Sequence, residues 1–403
     1  MDFKASFIEK FMRYAQIASG SSSTTGNHPS TQCQFDVAKI LKKELEDLGF
    51  EAILSEFCYV YCTINKGKKD RVCLVCHMDT NEDAPNSNVH PQIHEYKGGN
   101  IILNNDVVLT QDDLFNHNCK IGDTLITSDG TTLIGGDDKA GIAIVMTLIQ
   151  YLQENQHLYE NLPEIVICFT PDEEIGEGVN NIDFKYLKKD DNTVALTVDG
   201  SVFQELNIST FSARGFEIKI EGYNIHPGYA YKKMVNSIII GAKLTELITQ
   251  TFKSAEQTKD EEGYINIMHT TGEISNTKIS GIIRSFQNDE LMRFDKDLID
   301  LVNNFAKQHE SAKISITTTK QYMNMRTYLP QSLIDKLFKL GEKYESKISQ
   351  IRGGTDGSRL SEMGLPTPNI WDGAFNYHSV KEVVNVRESV SAISYLLDFL
   401  SEK

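Results

Sequence analysis

Three short apolar runs, rich in valine and isoleucine, end on side chains of the kind that ligate metals. Val72–Cys76 is followed by His77-Met78-Asp79, Ile165–Phe169 and Thr170 by Pro171-Asp172-Glu173-Glu174, and Val194–Val198 by Asp199-Gly200. Such runs are too brief for helices and have the composition of strands buried on both faces. Between the first two, a helix is expected over Lys139–Gln153, opening straight after Gly135-Gly136-Asp137-Asp138. Another is expected over Gln34–Phe50, with Phe35, Val37, Ile40, Leu41, Leu45 and Leu48 at helical spacing and Gly49 as its stop. Strands alternating with helices predict an α/β fold, and open sheets of that class bind ligands beyond the C-terminal ends of their strands. Three ligand-bearing strand ends would therefore converge.

The pattern changes near Ile208. Strand-like Phe216–Ile220, Lys278–Ser285 and Lys313–Thr319 alternate with helical Met234–Phe252 and Asp289–His309. This β-α-β-α-β run predicts a separate small α+β unit inserted over 208–321. Helical patterns at Gln331–Tyr344 and Val386–Phe399 return the chain to the first domain, expected to comprise 1–207 and 322–403.

Charge and hydropathy narrow the classes of function. Forty Lys and Arg against 56 Asp and Glu leave a formal charge of −16, which disfavours a nucleic-acid partner. The longest apolar stretches, such as Ser237–Ala242 and Ile142–Leu148, fall well short of the ~18 residues of a membrane span. Glu9, Lys10 and Arg13 interrupt the N-terminal segment before a secretory core can develop. The chain is therefore expected in the cytoplasm, away from membranes, with its cysteines as reduced thiols. Cys73-Leu-Val-Cys76 lacks the second pair that a zinc ribbon requires.

Acidic pairs are common here, and those at 112–113, 190–191 and 261–262 are expected to be solvated turns. Only Asp137-Asp138 and Glu173-Glu174 abut an apolar strand or a glycine-flanked helix start, which makes them candidates for chemistry. His77 is a candidate because Asp79, two residues on along an extended chain, faces the same way and can hold its ring. A carboxylate can bridge two cations whereas an imidazole binds one, so a dinuclear site wants several carboxylates and few histidines. His28, His90, His94, His117, His157, His269 and His309 lie in polar surroundings and are expected at the surface.

The segments His77-Met-Asp79-Thr80, Asn88-Val-His-Pro-Gln-Ile93, Gly136-Asp-Asp-Lys-Ala-Gly141, Thr170-Pro-Asp-Glu-Glu174, Thr197-Val-Asp-Gly200, Val235-Asn236, Asn324-Met-Arg326, Arg352-Gly-Gly-Thr-Asp-Gly357 and Asn376-Tyr-His378 are distributed over the whole chain. By them it resembles the peptidase T family, tripeptide aminopeptidases among the dinuclear-zinc metallopeptidases that include carboxypeptidase G and the aminoacylases. The resemblance implies a catalytic domain with a mixed central sheet flanked by helices, plus an inserted α+β lid domain of the type that pairs subunits into a homodimer. It implies two zinc ions per subunit, other divalent ions being admissible: His77, Asp137 and Asp199 would hold one, and Asp137, Glu174 and His378 the other. Asp79 would orient His77, Glu173 would be the general base, and the Asp137–Asp138 peptide would be cis. His226 and Arg284 match lid residues that contact substrate, and Asn324 and Arg352 are assigned to substrate binding. The chain departs from the family pattern at Gly135-Gly136 (Gly-Ala expected), at Ser379 (Gly expected) and at Gln32-Cys33 (Glu-Gly expected), none of them a ligand.

Two zinc ions would bring +4 against −3 from Asp137, Glu174 and Asp199. The water between them would be acidified toward pKa ~7, leaving Glu173 to accept its proton as the oxygen attacks a peptide carbonyl. The expected substrate is a short peptide cleaved at its N-terminal residue. A related dizinc carboxypeptidase or N-acyl amino acid hydrolase, and a non-catalytic peptide-binding relative, are the alternatives.

Overall fold

The computed structural model describes residues 1–104, 106–200 and 202–402. Its contacts divide the chain into a larger unit, Met1–Ile208 with Tyr328–Gln350 and Thr355–Lys403, and a smaller one, Ser209–Thr327 with Ile351–Gly354. The larger unit is built on a mixed sheet whose strands are β1 (Ala52–Leu54), β2 (Val60–Ile64), β3 (Arg71–His77), β4 (Glu164–Thr170), β5 (Val194–Gly200), β6 (Glu205–Thr210), β7 (Lys347–Ile351) and β8 (Asn369–Trp371). They run in the order β1-β2-β4-β3-β5-β8-β6-β7. The centre is parallel, β4 with β3, β3 with β5 and β5 with β8, while β2 and β6 join it antiparallel.

Every residue of β4, and every residue of β3 after Arg71, is buried, as expected for parallel strands covered on both faces. Side chains alternate between those faces. Cys73 and Val75 of β3, Val166 and Cys168 of β4 and Ala195 of β5 meet Tyr59, Tyr61, Leu187 and Leu360 in one apolar cluster. The helix Gly136–Glu154 packs on β3 and β5 and is flanked by the helices Phe3–Ala15 and Val386–Ser401. It is buried almost all round, which explains a sequence with little polar face. All the cysteines among the described residues are unpaired.

One close approach fixes this helix on the sheet. A Cβ on Gly141 would lie 2.3 Å from the Val198 carbonyl oxygen and 2.2 Å from Asp138 Oδ1. Because the first of these is backbone, Gly141→Ala is expected to push the helix off β5. The cost is about 1–3 kcal/mol, read as a lower denaturation midpoint of the full chain, and an unchanged midpoint would refute the tight contact.

A second, antiparallel sheet orders Ala374–Phe375, Val383–Asn385, Thr124–Thr127 and Gln92–Glu95. Its first two strands form a hairpin whose loop carries His378.

The smaller unit has a four-stranded antiparallel sheet in the order Tyr264–Gly272, Asn276–Ser285, Ser212–Glu221, Lys313–Tyr322. The helices Ser237–Thr251 and Asn288–Gln308 share an apolar core with it through Ile218, Leu244, Ile279, Leu298 and Val302. The β-α-β-α-β pattern expected from sequence omits the edge strand Tyr264–Gly272. That strand is exposed over its second half and carries a register shift between Ile267 and His269, so it shows no clean alternation. No helix among the described residues is long and apolar enough to cross a membrane.

Candidate metal centre

The parallel register places the ligand-bearing ends of the central strands side by side. His77 ends β3 opposite Thr170, the last residue of β4, and Asp199 lies one residue before the end of β5. Asp137 sits at the start of the helix Gly136–Glu154, where the 137–138 peptide is cis, and His378 lies in the hairpin loop with φ of 57°.

With Glu174, these four side chains come together. His77 Nε2 is 2.8 Å from Asp137 Oδ1 and 3.8 Å from Asp199 Oδ1. His378 Nε2 is 3.4 Å from Asp137 Oδ2 and 3.0 Å from Glu174 Oε2. Four donors at zinc-like bond lengths around one ion stand about 3.4 Å apart, and these separations bracket that value. The two oxygens of Asp137 address different imidazoles, the disposition a bridging carboxylate needs. Donor atoms of His77, Asp138 and Asp199 also lie within 4.8 Å of one another, but both Asp138 oxygens are already engaged. Oδ2 accepts from His77 N at 3.1 Å and Oδ1 from Gly141 N at 3.1 Å. Asp138 holds the peptide frame, while Asp137 and Asp199 turn carboxylate oxygens toward His77. Glu174 Oε1 is buried with no hydrogen-bond partner, as a ligand oxygen would be. The residues fit a pair of divalent cations.

The electrostatics agree. Burial, with the Asp137 charge adding to it, pushes Asp199 and Glu174 above the usual carboxylate range. Burial also raises Glu173, despite His77, with help from Asp356 and Glu174. Burial alone would lower the imidazoles, yet hydrogen bonds to Asp137 and Asp79 hold His77 well above its ordinary value, and bonds to Asp137 and Glu174 hold His378 at about 11. Asp137, between the two rings, is held below its usual range against its own burial. Such a cluster demands positive charge at its centre, which divalent cations supply more fully than imidazolium protons.

Around these groups lies a rigid frame. Asp79, fully buried, stands 3.3 Å from His77 Nδ1, whose ring also meets the Asp79 carbonyl at 3.1 Å. Its carboxylate in addition accepts from Glu173 N at 3.0 Å and Glu174 N at 3.1 Å, so it pins the acidic turn as well as the histidine. Glu173 Oε1 accepts from Asp356 N at 3.2 Å, and Asn81 Nδ2 donates to Glu174 Oε2 at 3.0 Å. Asp172, at φ of 57°, accepts from Ser30 N at 2.8 Å and from Gln34 Nε2 at 2.6 Å. His28 pairs with it at 3.1 Å and has only 10% of its side chain exposed. This corrects the expectation of a surface histidine: the polar residues around His28 in sequence fold inward to hold the base of the acidic turn. The roles of Asn81 and Asp356 were not anticipated, although Asn81 follows the motif ending at Thr80 and Asp356 lies within the motif Arg352–Gly357.

The four expected substrate-binding residues belong to the smaller unit. His226 is exposed beside Tyr229, and its Nδ1 accepts from Gly228 N at 3.1 Å. Arg284 lies over the Tyr322 ring and donates to the Arg214 and Ile283 carbonyls. Asn324 is buried and fully engaged: Oδ1 accepts from Thr210 N and Arg326 N, while Nδ2 donates to Ser209 Oγ and the Phe286 carbonyl. Arg352 donates to Thr258 Oγ1 and to the Asp260 and Glu262 carbonyls, with the rings of Phe211 and Tyr264 against it. In this structure Asn324 and Arg352 tie their own unit together.

A sequence profile described as Peptidase family M20/M25/M40 matches residues 129–402. A curated relative from Desulfitobacterium hafniense, named Peptidase T, is 37% identical over 413 residues, covering 99% of each chain. Among solved structures, an aminopeptidase PepT from Bacillus cereus superposes with a TM-score of 0.74 at 21% identity, covering 99% of this chain and 98% of that one. A tripeptidase from Staphylococcus aureus does so with a TM-score of 0.74 at 22% identity and the same coverage.

Proposed function

Because the chain belongs to peptidase family M20/M25/M40 and to its peptidase T group, we propose that it removes the N-terminal residue from short peptides, tripeptides above all, using two zinc ions per subunit. The observation that carries this reading is Asp137 set between His77 and His378, with Glu173 and Glu174 on the adjacent turn. In it, His77, Asp137 and Asp199 would hold one cation and Asp137, Glu174 and His378 the other. Imidazole and carboxylate donors suit zinc.

Cations held by these residues would supply positive charge that acidifies water and offsets the charge developing on the carbonyl oxygen. Glu173 takes the proton of the attacking water as the C–O bond forms. It returns that proton to the amine nitrogen as the C–N bond breaks, so one carboxylate serves both steps. Its backbone is held by Asp79 and its Oε1 by Asp356 N–H, which fixes where the proton is collected. His226 and Arg284, both of the smaller unit, are proposed to contact substrate. A cytoplasmic location and pairing of subunits through that unit belong to the same proposal. Exposed Ile238 and Ile239 on its helix support the pairing.

Turnover of an unblocked tripeptide beside its N-acetylated form, with metal content measured on the same sample, tests the activity. An aminopeptidase is expected to lose roughly 10²–10⁴-fold in kcat/KM on the blocked peptide, because the groups that hold the amine are left unpaired. Equal turnover would assign the chain to the carboxypeptidase and acyl-hydrolase relatives. No turnover of any unblocked peptide by metal-loaded protein would make it a binding protein.

A further inference from the structure

Glu382 lies four residues beyond His378 and is 1% exposed. Its carboxylate points across to the turn that delivers Asp137. Oε2 accepts from Ile134 N at 3.0 Å and Gly135 N at 2.8 Å, and Oε1 accepts from Asp137 N at 3.0 Å. The loop that carries it is closed on itself. Glu382 N donates to the Ser379 carbonyl at 3.2 Å, and Ser379 Oγ donates to the Asn376 carbonyl at 2.7 Å and accepts from Lys381 N at 3.2 Å. Ser379, one of the departures from the family pattern, is therefore part of this closure. The two loops bearing Asp137 and His378 come from segments more than two hundred residues apart, and one side chain joins their backbones.

We propose that Glu382 is a positioning residue that sets the separation of Asp137 and His378, and through it the affinity of the cation they share. The proposal rests on the reading of those two residues as ligands. Only a carboxylate suits the place. Three N–H donors converge on it, and a glutamine would turn its own NH2 toward at least one of them, leaving donor against donor. Held this way, the Asp137 main chain cannot drift when a cation arrives or leaves, so the ligand set is preorganised.

The test uses the full-length protein, zinc alone, and a chromogenic chelator in competition. Three variants are compared: Glu382→Gln, Glu382→Asp, and Glu388→Gln as a control. Glu388 is also buried, at 3% exposure in the same C-terminal segment, but its carboxylate accepts from Arg387 Nη2 and Asn385 Nδ2. Glu382→Gln is expected to weaken at least one of the two zinc affinities, that of the cation Asp137 and His378 share, by about 10–100-fold, the usual effect of losing a partner behind the ligands. Glu382→Asp, charged but one methylene short, should fall between it and the parent. Glu388→Gln should keep both affinities whatever it does to the unfolding midpoint. Parental zinc affinities in Glu382→Gln overturn the proposal, and so does equal weakening in Glu388→Gln. If both Glu382 variants fail to fold while Glu388→Gln folds, the residue serves stability and the proposal is again overturned. Failure of the parent protein to bind zinc would instead refute the ligand assignment beneath it.

Discussion

Asp137→Ala is expected to strip the protein of tightly held divalent cations and to lower kcat/KM by more than about 10³-fold. The geometry gives the reason. Asp137 faces His77 through Oδ1 at 2.8 Å and His378 through Oδ2 at 3.4 Å, so under the proposed assignment its loss removes a ligand from both halves of the centre at once. Losing a partner behind one ligand typically costs 10–100-fold in affinity, and a lost ligand counted at both sites compounds at least that. The neighbouring acids do not substitute. Asp138 is held by His77 N and Gly141 N, and Asp199 is already assigned to the cation beside His77. Metal analysis after dialysis, beside tripeptide turnover, provides the check. Two equivalents of zinc retained by this variant would remove the bridging role from Asp137.

Glu173→Ala should separate chemistry from metal binding. Glu173 is placed to move a proton, so its removal is expected to lower kcat by about 10²–10⁴-fold, the range for general acid–base help, with both cations retained and KM changed far less. The turn that bears it should survive the substitution. Its backbone is tied by Glu173 N and Glu174 N to the Asp79 carboxylate, and Asp172 is anchored by Ser30 and Gln34. Those bonds do not involve the Glu173 side chain. A variant with parental kcat, or one that loses as much zinc as Asp137→Ala, would refute the division of labour between the two residues.

Both predictions draw on residues visible before any coordinates. Val72–Cys76, Ile165–Phe169 and Val194–Val198 announce buried strands because unbroken β-branched and aliphatic runs of that length suit little else. His77, Glu173, Glu174 and Asp199, just beyond those runs, announce a ligand site because polar groups at the ends of buried strands have few other uses. The inserted unit was legible from its change of rhythm, apart from Tyr264–Gly272. That edge strand pairs on one side only and is exposed over its second half, so its residues face no common demand for alternation.

Other features were not legible. Arg352 sits in a glycine-rich motif that suggests a binding wall, yet its guanidinium is taken up by Thr258, Asp260 and Glu262. His28 has the local sequence of a surface loop and folds inward, partly buried, against Asp172. Glu382 comes four residues after a histidine and gives no sign that it caps a segment near residue 135.

The amino-acid order alone announced the three central strands, the helix that follows Gly135-Gly136, the C-terminal helix and the side chains proposed to bind cations. These follow from short-range patterns of apolar and polar residues, which each segment carries within itself. Tertiary structure decided which oxygen faces which imidazole, that Asp138 supports the backbone while Asp137 is left free to bridge, and that Glu382 joins two distant loops. Those outcomes depend on ångström-scale distances between segments remote in sequence. Such distances are set by the packing of the sheet and its covering helices together, and no stretch of chain encodes them separately.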